Sequence, residues 1–590
     1  MRYCRFLLIL GVLATSGLIA VVVCRAPLLS GVVGVVILAA THRRTRSLHA
    51  MGTARWASNP DLARAGMLED GAGLCVGWVS TERPRFWPSF SGLFDGRLPA
   101  AAACERFVFS MRKLQGWHKA TQVRLNRAVH TAIFAPTGVG KGVSLIVPFL
   151  RECQDSCVVI DPKGENARLT MDVRRAMGHR IVLLDPFKVV TQTPDTFNPL
   201  DMIDEASPLA GDDCRALAKD LVVTTGMEPD PHWNLSSEHM IAALIAAVLF
   251  MSKEHRSLQT VRTLLTDDAR RAVVLAKMRD CDDWGGMLRR MANQVLNWKD
   301  KELAGILSTA NRHTAFLDTL PVASSTQASS FDPIQLRAGK MSAFLILPPA
   351  YLKSQSALLR TWIGATFKAC VRGGLDDSRN VHFVLDEAAS LGKLDVLEDA
   401  VDKYRGYGVK LQLYYQSIGQ LKQCWRDGLD QSLLSNTTQV YFGVNDQQTA
   451  QAVSDRLGEE TIVVDSGGTN TGGSDSANKT EAGGQLGRSW GGSKNWAQQA
   501  RKLLKPEEVA GLSPRTAVTF APGVPPIATT MVRYYEEQPG NGQSRWRRTR
   551  TTAEVWMAAV GLLVLSSLGV WAAANLVQHP KNPPPHRAAP

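Results

Sequence analysis

A glycine-rich segment between a short apolar run and a helix-forming run constrains this chain most strongly. Residues 135–142 read Ala-Pro-Thr-Gly-Val-Gly-Lys-Gly and follow an apolar strand predicted at residues 131–134. Glycines let successive backbone N–H groups turn inward on a phosphate, a lysine reaches the outer phosphate oxygens, and a helix N-terminus faces the charge. The segment therefore predicts a strand, a phosphate-binding loop and a helix, in that order.

The loop departs from the strict pattern at two positions. Ala135 replaces the first glycine, and Gly142 replaces the Ser or Thr whose hydroxyl normally ligates Mg²⁺. A plain strand–turn–helix is the alternative when the loop is considered alone. The residues predicted to contact nucleotide are Thr137, Gly138, Val139, Gly140, Lys141, Gly142 and Val143, with Lys141 also given a catalytic role.

An acidic pair follows a second apolar strand. Residues 381–385 form this strand, and Asp386 and Glu387 come directly after it. Asp386 is placed to hold Mg²⁺ directly or through water, and Glu387 to orient or deprotonate the attacking water. A solvated acidic pair at a strand end is the alternative. The order of loop, intervening strands and acidic strand favours an ATPase that uses Mg²⁺.

Two further side chains are candidates for catalysis. Gln416 follows the strand predicted at residues 409–414 and could sense the γ-phosphate, or be an ordinary polar strand end. Arg405 could be an arginine finger reaching a neighbouring subunit. A surface charge or a contact to a DNA phosphate explains Arg405 equally well.

Short apolar runs recur along the chain and predict an α/β fold. Each is bounded by polar residues, the pattern of a parallel sheet covered on both faces. Residues 203–339 show helical patterns instead and are interpreted as an all-helical insertion. Residues 466–494 are rich in Gly, Ser, Thr and Asn and predict a mobile loop. The predicted nucleotide-binding domain spans residues 47–202 and 340–545, on either side of the insertion.

Apolar segments flank this body. Residues 6–24 and 26–41 predict a membrane hairpin within residues 1–46, with arginines on both outer flanks. Residues 555–577 predict a further span within residues 546–590, after a cluster of arginines. A cleaved signal peptide at the start and a buried packing helix at the end are the alternatives. The sequence thus predicts a multi-pass inner-membrane protein whose main body is cytoplasmic.

The net charge indicates which partners the protein could bind, and the cysteine spacing indicates the state of its thiols. The net charge of +13 favours acidic partners, either nucleic acid or anionic lipid. The ten cysteines include no CxxC pair, and their spacing fits neither a disulfide framework nor a zinc site. We expect reduced and mostly buried thiols.

Several motifs in one order resemble the TraG/TraD-type family of type IV secretion coupling proteins. The resemblance runs over nearly the whole length and includes the family's own form of the loop, with Gly after Lys. The matching stretches are Gly52 to Ala57, Ala135 to Gly142, Asp161 to Glu165, Phe197 to Asp201, Leu385 to Glu387, Gln416 with Ser417, Asn445 and Asp446 with Thr449 and Ala450, and Arg501 to Leu504 with Pro506 to Glu508.

This resemblance implies a RecA-like, inner-membrane ATPase that assembles as a hexamer, with ATP and Mg²⁺ between subunits. Such proteins receive a relaxase attached to single-stranded DNA, or protein effectors, and pass them to a type IV secretion channel. The helical insertion would meet the cargo. The group replacing the Mg²⁺ hydroxyl at Gly142 stays open, with Ser144 or water as candidates. The segment at residues 555–577 departs from the family's usual pattern.

Two other classes of protein share parts of this pattern. An FtsK-like double-stranded DNA pump would share the core and the hexamer, but it would normally end in a DNA-reading winged-helix domain. Here that position holds a Gly/Ser-rich loop, an arginine cluster and an apolar segment. A non-hydrolysing scaffold with a dead nucleotide fold is disfavoured because Lys141, Asp386 and Glu387 are intact.

Overall fold

The computed structural model describes residues 51–71, 73–79, 121–224, 228, 230–426, 428–468 and 493–536. The described residues up to Tyr534 cluster into one unit. Tyr535 and Glu536 belong to a second unit, together with residues outside the described ranges.

An eleven-stranded sheet organises the first unit, in the order β2-β1-β13-β12-β9-β3-β8-β7-β4-β6-β5. A separate two-stranded sheet pairs β10 with β11. The strands are β1 (Leu74–Val79), β2 (Thr121–Leu125), β3 (His130–Phe134), β4 (Ser156–Ile160), β5 (Arg180–Leu184), β6 (Met341–Leu345), β7 (Val381–Leu385), β8 (Val409–Tyr415), β9 (Thr438–Phe442), β10 (Glu459–Gly468), β11 (Ser493–Lys502), β12 (Thr516–Phe520) and β13 (Ile527–Thr530).

The strands from β9 to β5 in this order are all parallel. Their side chains alternate between two cores, as the two-residue period of a strand requires. In β3, for example, Ala132 and Phe134 face one core while Ile133 faces the other. The parallel sheet covered on both faces is therefore confirmed, and the alternation explains why its strands read as continuous apolar runs.

Helices cover the sheet. A π-helical turn (Gly142–Ile146) continues into α2, and short 3₁₀ turns occupy Pro199–Met202, Lys253–His255, Ala315–Asp318, Ala388–Leu391 and Tyr404–Tyr407. The α-helices are α1 (Asn59–Arg64), α2 (Val147–Glu152), α3 (Glu165–Ala176), α4 (Ala210–Leu221), α5 (His232–Leu249), α6 (Leu258–Thr266), α7 (Asp268–Arg279), α8 (Asp283–Leu296), α9 (Asp300–Thr314), α10 (Leu320–Thr326), α11 (Gln335–Ala338), α12 (Pro349–Leu352), α13 (Ser356–Arg372), α14 (Asp395–Lys403), α15 (Ile418–Cys424), α16 (Leu429–Asn436), α17 (Gln447–Leu457) and α18 (Pro506–Ala510).

The chain between β5 and β6 contains only helical elements among its described residues. The central member is α5, whose apolar side chains are almost all buried. It packs against α4 on one side and α9 on another. Because α5 is apolar and buried on all sides from Met240 to Leu249, neighbouring elements must surround that part of the helix.

Four antiparallel strands, which were not predicted from the sequence, extend the parallel sheet. β12 pairs with β9, β13 with β12, β1 with β13, and β2 with β1. Both ends of the described sequence therefore join one sheet edge. Strands so distant in sequence carry no local signal that they pair, which is why the pattern of single runs did not reveal them.

The predicted mobile loop at residues 466–494 is wrong at both ends. Residues 466–468 lie in β10 and residues 493–494 lie in β11, paired in register from Glu459 with Lys502 to Gly468 with Ser493. Backbone hydrogen bonds of a ladder do not need apolar side chains, so low apolar content did not exclude strands here. Residues 469–492 lie outside the described residues.

The predicted inner-membrane localisation is also corrected. Within the described residues, the structure contains no helix that is both long and apolar enough to cross a bilayer. The predicted spans at residues 6–24, 26–41 and 555–577 lie outside those residues. The long apolar helix α5 is buried inside the protein against other helices.

Candidate nucleotide site

The strand order brings the predicted loop and the acidic pair together at the carboxyl ends of the parallel strands. β8 lies between β3 and β7 and is parallel to both. Parallel strands end at the same edge, and ligands of α/β sheets bind outside those carboxyl ends. Three segments therefore meet there: the loop after β3, Gln416 after β8, and Asp386 with Glu387 after β7.

Glycine is required in the loop by its backbone conformation. Gly138 has a φ of 86° and Gly140 a φ of 101°, in the left-handed region that side chains with a Cβ rarely adopt. Thr137 and Gly138 are exposed at the tip, whereas Val139 to Val143 are half-buried. Nζ of Lys141 donates a 3.1 Å hydrogen bond to the carbonyl oxygen of Ala135. The lysine therefore spans the loop it belongs to, as a phosphate-binding lysine must.

Gly443, the residue directly after β9, packs closely against the loop. Gly443 follows β9 with a φ of 61°, and a Cβ there would lie 2.7 Å from Cγ1 of Val139. A Cβ at this position would force Val139, a residue of the loop, to shift. The close approach fixes the position of the loop relative to β9.

The loop lysine and the first acidic residue share a poorly solvated environment. Burial raises the pKa of Asp386 to about 7; Lys141 opposes this rise, whereas Asp161 and Glu387 add to it. Burial also lowers the pKa of Lys141, although the negative charges of Asp386 and Glu387 act in the opposite direction. Negative charges gathered where solvation is poor favour a bound cation. Asp386 is thus suited to the metal-binding role predicted for it.

Sequence reasoning missed Asn166, which lies between the loop and Asp386. Its Nδ2 lies 3.5 Å from Oδ2 of Asp386. Its Oδ1 lies 3.7 Å from the position that a Cβ on Gly142 would take. Asn166 therefore fills the space beside Gly142 where a Ser or Thr hydroxyl would project. The available signal was its place just past the end of β4, the strand next to β7.

Ser144 is a weaker candidate for the missing hydroxyl. It is buried, and its Oγ lies 3.5 Å from the position of a Cβ on Gly140, on the loop's own helix. Asn166 instead touches both Gly142 and Asp386, so the residue next to the expected metal position is Asn166.

The side-chain amides of Gln416 and Gln420 contact Glu387, the second residue of the acidic pair. Nε2 of Gln416 and Nε2 of Gln420 lie 3.2 Å and 3.3 Å from the same oxygen, Oε1 of Glu387. Gln420 also accepts a hydrogen bond from the backbone N–H of Gln416. Gln416 therefore contacts the predicted base in addition to standing at the strand end. Gln420 was missed, although Ser417 three residues earlier signals a helix start, and Oγ of Ser417 accepts from the N–H of Gln420.

Arg405 lies at the opposite end of the parallel strands, where they begin. It belongs to the 3₁₀ turn before β8, near His130 at the start of β3. Burial lowers the pKa of His130 to about 4, and the charge of Arg405 adds to that effect. The seven residues of β8 separate Arg405 from Gln416, which at roughly 3.3 Å per residue is about 20 Å. Within one chain the structure does not bring Arg405 to the loop.

Another arginine does approach the loop. Nε of Arg533 lies 3.9 Å from the position that a Cβ on Gly140 would take. The next residue, Tyr534, donates its backbone N–H to the carbonyl oxygen of Val143 at 3.0 Å. The segment after β13 thus crosses the start of the loop helix and places a guanidinium beside the loop. No motif marked Arg533, because it reaches the loop through the antiparallel strands that the sequence did not reveal.

A parallel sheet with this loop, its lysine and the acidic pair two strands away defines a RecA-like P-loop nucleotide-binding fold. Solved structures agree: the plasmid coupling protein TrwB in complex with ADP and Mg²⁺ superposes with a TM-score of 0.50 at 16% identity, over 70% of this chain and 89% of that chain. TrwB in complex with the ATP analogue ADPNP also superposes with a TM-score of 0.50, at 18% identity over 72% and 89% of the two chains.

Comparison by sequence identifies the family. Residues 55–557 match the family described as type IV secretory system conjugative DNA transfer, so the chain belongs to that family. The type IV secretion system-coupling protein VirD4 of Bartonella henselae is 28% identical over 422 residues. The conjugal transfer protein TraG of Agrobacterium fabrum is 26% identical over 434 residues. These matches cover 70% and 72% of this chain, and the chain spans 63% of the length of each relative. The resemblance to TraG-type coupling proteins is thereby confirmed.

Proposed function

We propose that this protein is an ATP-hydrolysing coupling protein, which recruits relaxase-bound single-stranded DNA or protein effectors and delivers them to a type IV secretion channel. The family membership supports the biological role. The meeting of Lys141, Asp386 and Glu387 at one sheet edge is the single observation that carries the enzymatic part.

The site residues fit Mg²⁺ together with a nucleoside triphosphate. Asp386 offers a carboxylate oxygen and Asn166 an amide oxygen, the hard donors that Mg²⁺ takes. When bound, the ion neutralises charge on the β- and γ-phosphates. Lys141 and the backbone N–H groups from Gly138 to Val143 would hold the same phosphates from the loop side. Asn166 would then take the place of the hydroxyl that Gly142 lacks.

Glu387 would act on the attacking water. Its Oε1 is held by the amides of Gln416 and Gln420, so its other oxygen can accept a proton from water placed in line with the γ-phosphate. The two amides keep the carboxylate in one orientation. Gln416 is thereby both a positioning residue for Glu387 and a candidate contact to the γ-phosphate.

ATP hydrolysis by the full-length protein tests this function. It would be measured without DNA, with single-stranded DNA and with duplex DNA across a salt series, beside Lys141→Ala. We expect stimulation by single strands that weakens as salt rises and disappears in the variant. Stronger stimulation by duplex would favour a double-stranded DNA pump. Hydrolysis in which Lys141→Ala equals the wild type would refute the assignment of the site.

Arg405 is best placed to act between subunits. We propose a homo-hexamer in which Arg405 of one chain reaches the nucleotide of the next, since within one chain it lies at the opposite edge. Mixing Lys141→Ala chains with Arg405→Ala chains tests this. Mixed assemblies should recover part of the activity that each variant lacks alone, because some interfaces would pair two intact halves. Lack of recovery in assemblies shown to contain both chains would leave Arg405 as a surface or DNA contact.

A further inference from the structure

A second cluster of reactive side chains lies at the opposite edge of the sheet from the nucleotide loop. Sγ of Cys153, a carboxylate oxygen of Asp155 and a ring nitrogen of His382 all lie within 4.8 Å of one another. Nε2 of His382 is 3.1 Å from Oδ2 of Asp155. A thiol, a carboxylate and an imidazole therefore converge on one point, although two of them are more than two hundred residues from the third along the chain.

Regular elements position all three donors. Cys153 is the C-cap residue directly after α2, the helix that continues from the nucleotide loop, and Asp155 directly precedes β4. His382 is the second residue of β7, the neighbour of β4, where it stands in register with Cys157. The site thus joins the end of one helix to the starts of two adjacent strands.

A buried arginine fixes the backbone that carries two of the donors. Arg174 is fully buried and donates to the carbonyl oxygens of Leu150, Cys153 and Asp155. It also donates to Sγ of Cys157 at 3.2 Å, so the second thiol is already engaged. The chain from the end of α2 to the start of β4 is thereby held in one conformation. A metal site gains affinity from such preorganisation because binding then orders little.

The cluster is enclosed on one side and reachable on the other. Cys153 is 1% exposed and the side chain of His382 is 7% exposed, whereas that of Asp155 is 30% exposed. Asp155 and His382 line a cavity of about 280 Å³ that Asn380 and Lys410 also border. An ion can therefore enter past Asp155, and water in the cavity can supply a further ligand.

We propose that Cys153, Asp155 and His382 bind one Zn²⁺ ion, with water from the cavity as the fourth ligand. Sulfur, imidazole nitrogen and carboxylate oxygen are the three donor types that Zn²⁺ takes, and four ligands complete its usual tetrahedron. Bound as thiolate and carboxylate, Cys153 and Asp155 balance the double positive charge. Arg174 and Lys410 are the cations that face the cluster, and Arg174 is engaged by carbonyl oxygens and by Cys157. The ion would take the place of the proton that His382 now shares with Asp155.

Metal content of the full-length protein tests the proposal. The protein would be purified without a polyhistidine tag, kept reduced, incubated with a small excess of Zn²⁺, dialysed and analysed by mass spectrometry for metal. The wild type should retain one Zn²⁺ per chain, and Cys153→Ser and His382→Gln should lose most of it. Cys424→Ser, which removes a thiol outside the cluster, should keep it. Lys141→Ala should keep it as well, so the result is independent of the nucleotide site.

A spectroscopic readout separates true ligation from misfolding of a variant. Replacing Zn²⁺ by Co²⁺ should give a sulfur-to-cobalt charge-transfer band in the wild type and in Cys424→Ser. Asp155→Asn, which keeps the shape of the side chain, should weaken the affinity for Co²⁺ by at least roughly tenfold, since loss of a group that only supports a ligand already costs that much, while preserving the band. Failure of the wild type to retain Zn²⁺, or equal retention in Cys153→Ser and His382→Gln, would refute the site and leave a metal-free Asp–His pair beside a thiol.

Discussion

Nδ2 of Asn166 lies 3.5 Å from Oδ2 of Asp386, although 220 residues separate the two in sequence. The contact joins the first turn of α3, the helix that follows β4, to the end of β7, the strand next to β4. On its other side Asn166 faces Gly142, the position at which most phosphate-binding loops carry a hydroxyl. One amide thus links the two groups between which Mg²⁺ is expected.

Loss of the Asn166 amide should weaken Mg²⁺-dependent hydrolysis. We expect Asn166→Ala to lower the rate at limiting Mg²⁺ by roughly tenfold, as for loss of one metal-positioning group. Excess Mg²⁺ should recover part of the rate, because the affinity for the ion is what falls. A Mg²⁺ titration of the ATPase rate checks this.

A second substitution tests the same idea by rescue. Gly142→Ser restores a hydroxyl, and a Cβ there meets only Oδ1 of Asn166 at 3.7 Å, an ordinary contact distance. The double variant Asn166→Ala with Gly142→Ser should recover Mg²⁺ affinity relative to Asn166→Ala alone. If the double variant is as weak as the single one, Asn166 serves only to position Asp386.

Substitution of Glu387 should separate binding from hydrolysis. Glu387→Gln removes the base but keeps the hydrogen-bonding shape, so hydrolysis should fall by about a hundredfold or more. Nucleotide affinity should change by less than about threefold, since Glu387 does not hold the phosphates in the proposed site. Binding of a fluorescent ATP analogue, measured beside steady-state turnover, gives both quantities. Parallel loss of both would assign Glu387 a structural role.

The pKa of Asp386, raised to about 7 by burial, gives a pH dependence. Mg²⁺ needs the carboxylate, so Mg²⁺-dependent nucleotide affinity should rise from about pH 6 to pH 8 and level off above. Isothermal titration over this range, in buffers of matched ionic strength, measures it. Asp386→Asn should bind Mg²⁺-nucleotide poorly at every pH, and a slope as steep as that of the wild type would assign the titration to another group.

The same raised pKa predicts a gain in stability when the charge is removed. Between the usual carboxyl pKa of 3.8 and about 7, the folded protein holds a proton that the unfolded chain has released. The free energy of unfolding of the nucleotide-free protein therefore falls as pH rises through this window. Asp386→Asn should abolish this contribution and be more stable than the wild type at pH 8, on the order of 1–2 kcal/mol. Thermal unfolding of both proteins at about pH 5 and pH 8 tests it, the difference being larger at the higher pH.

A side chain at Gly443 should displace the loop without broadly unfolding the protein. A Cβ there would lie 2.7 Å from Val139, so Gly443→Ala should weaken nucleotide binding by at least about tenfold. Gly428→Ala is a matched control, because its φ of 84° is equally left-handed but no atom lies within 4 Å of the added Cβ. Backbone strain should cost each variant about 1 kcal/mol, and Gly443→Ala should lose further stability because its Cβ also crowds Val139. Equal nucleotide affinity in the two would show that Gly443 serves the backbone alone.

Much of the central sheet and the loop could be predicted because their signals are local. The loop at Lys141 and the strand ending at Asp386 each carry a pattern within ten residues, and parallel strands buried on both faces read as apolar runs. What could not be predicted depends on pairing between distant segments. Asn166 meets Asp386, and Arg533 meets Gly140, only after the strand order is known, and no spacing in the sequence encodes that order. Gln420 is intermediate, since its capping position was readable but its contact with Glu387 was not.

The place of β8 in the sheet has a mechanical consequence. β8 pairs with β3 from Leu411 to Tyr415 on one side and with β7 from Val409 to Leu413 on the other, with Arg405 before its first residue and Gln416 after its last. A force applied at the Arg405 end cannot shift β8 alone, because the ladders carry both neighbours with it. The loop of Lys141 and the carboxylates of Asp386 and Glu387 would therefore travel together as one rigid block. In a ring of such chains, a neighbour pressing on one edge of the sheet would change the orientation of the whole site at the other edge while leaving its internal distances intact.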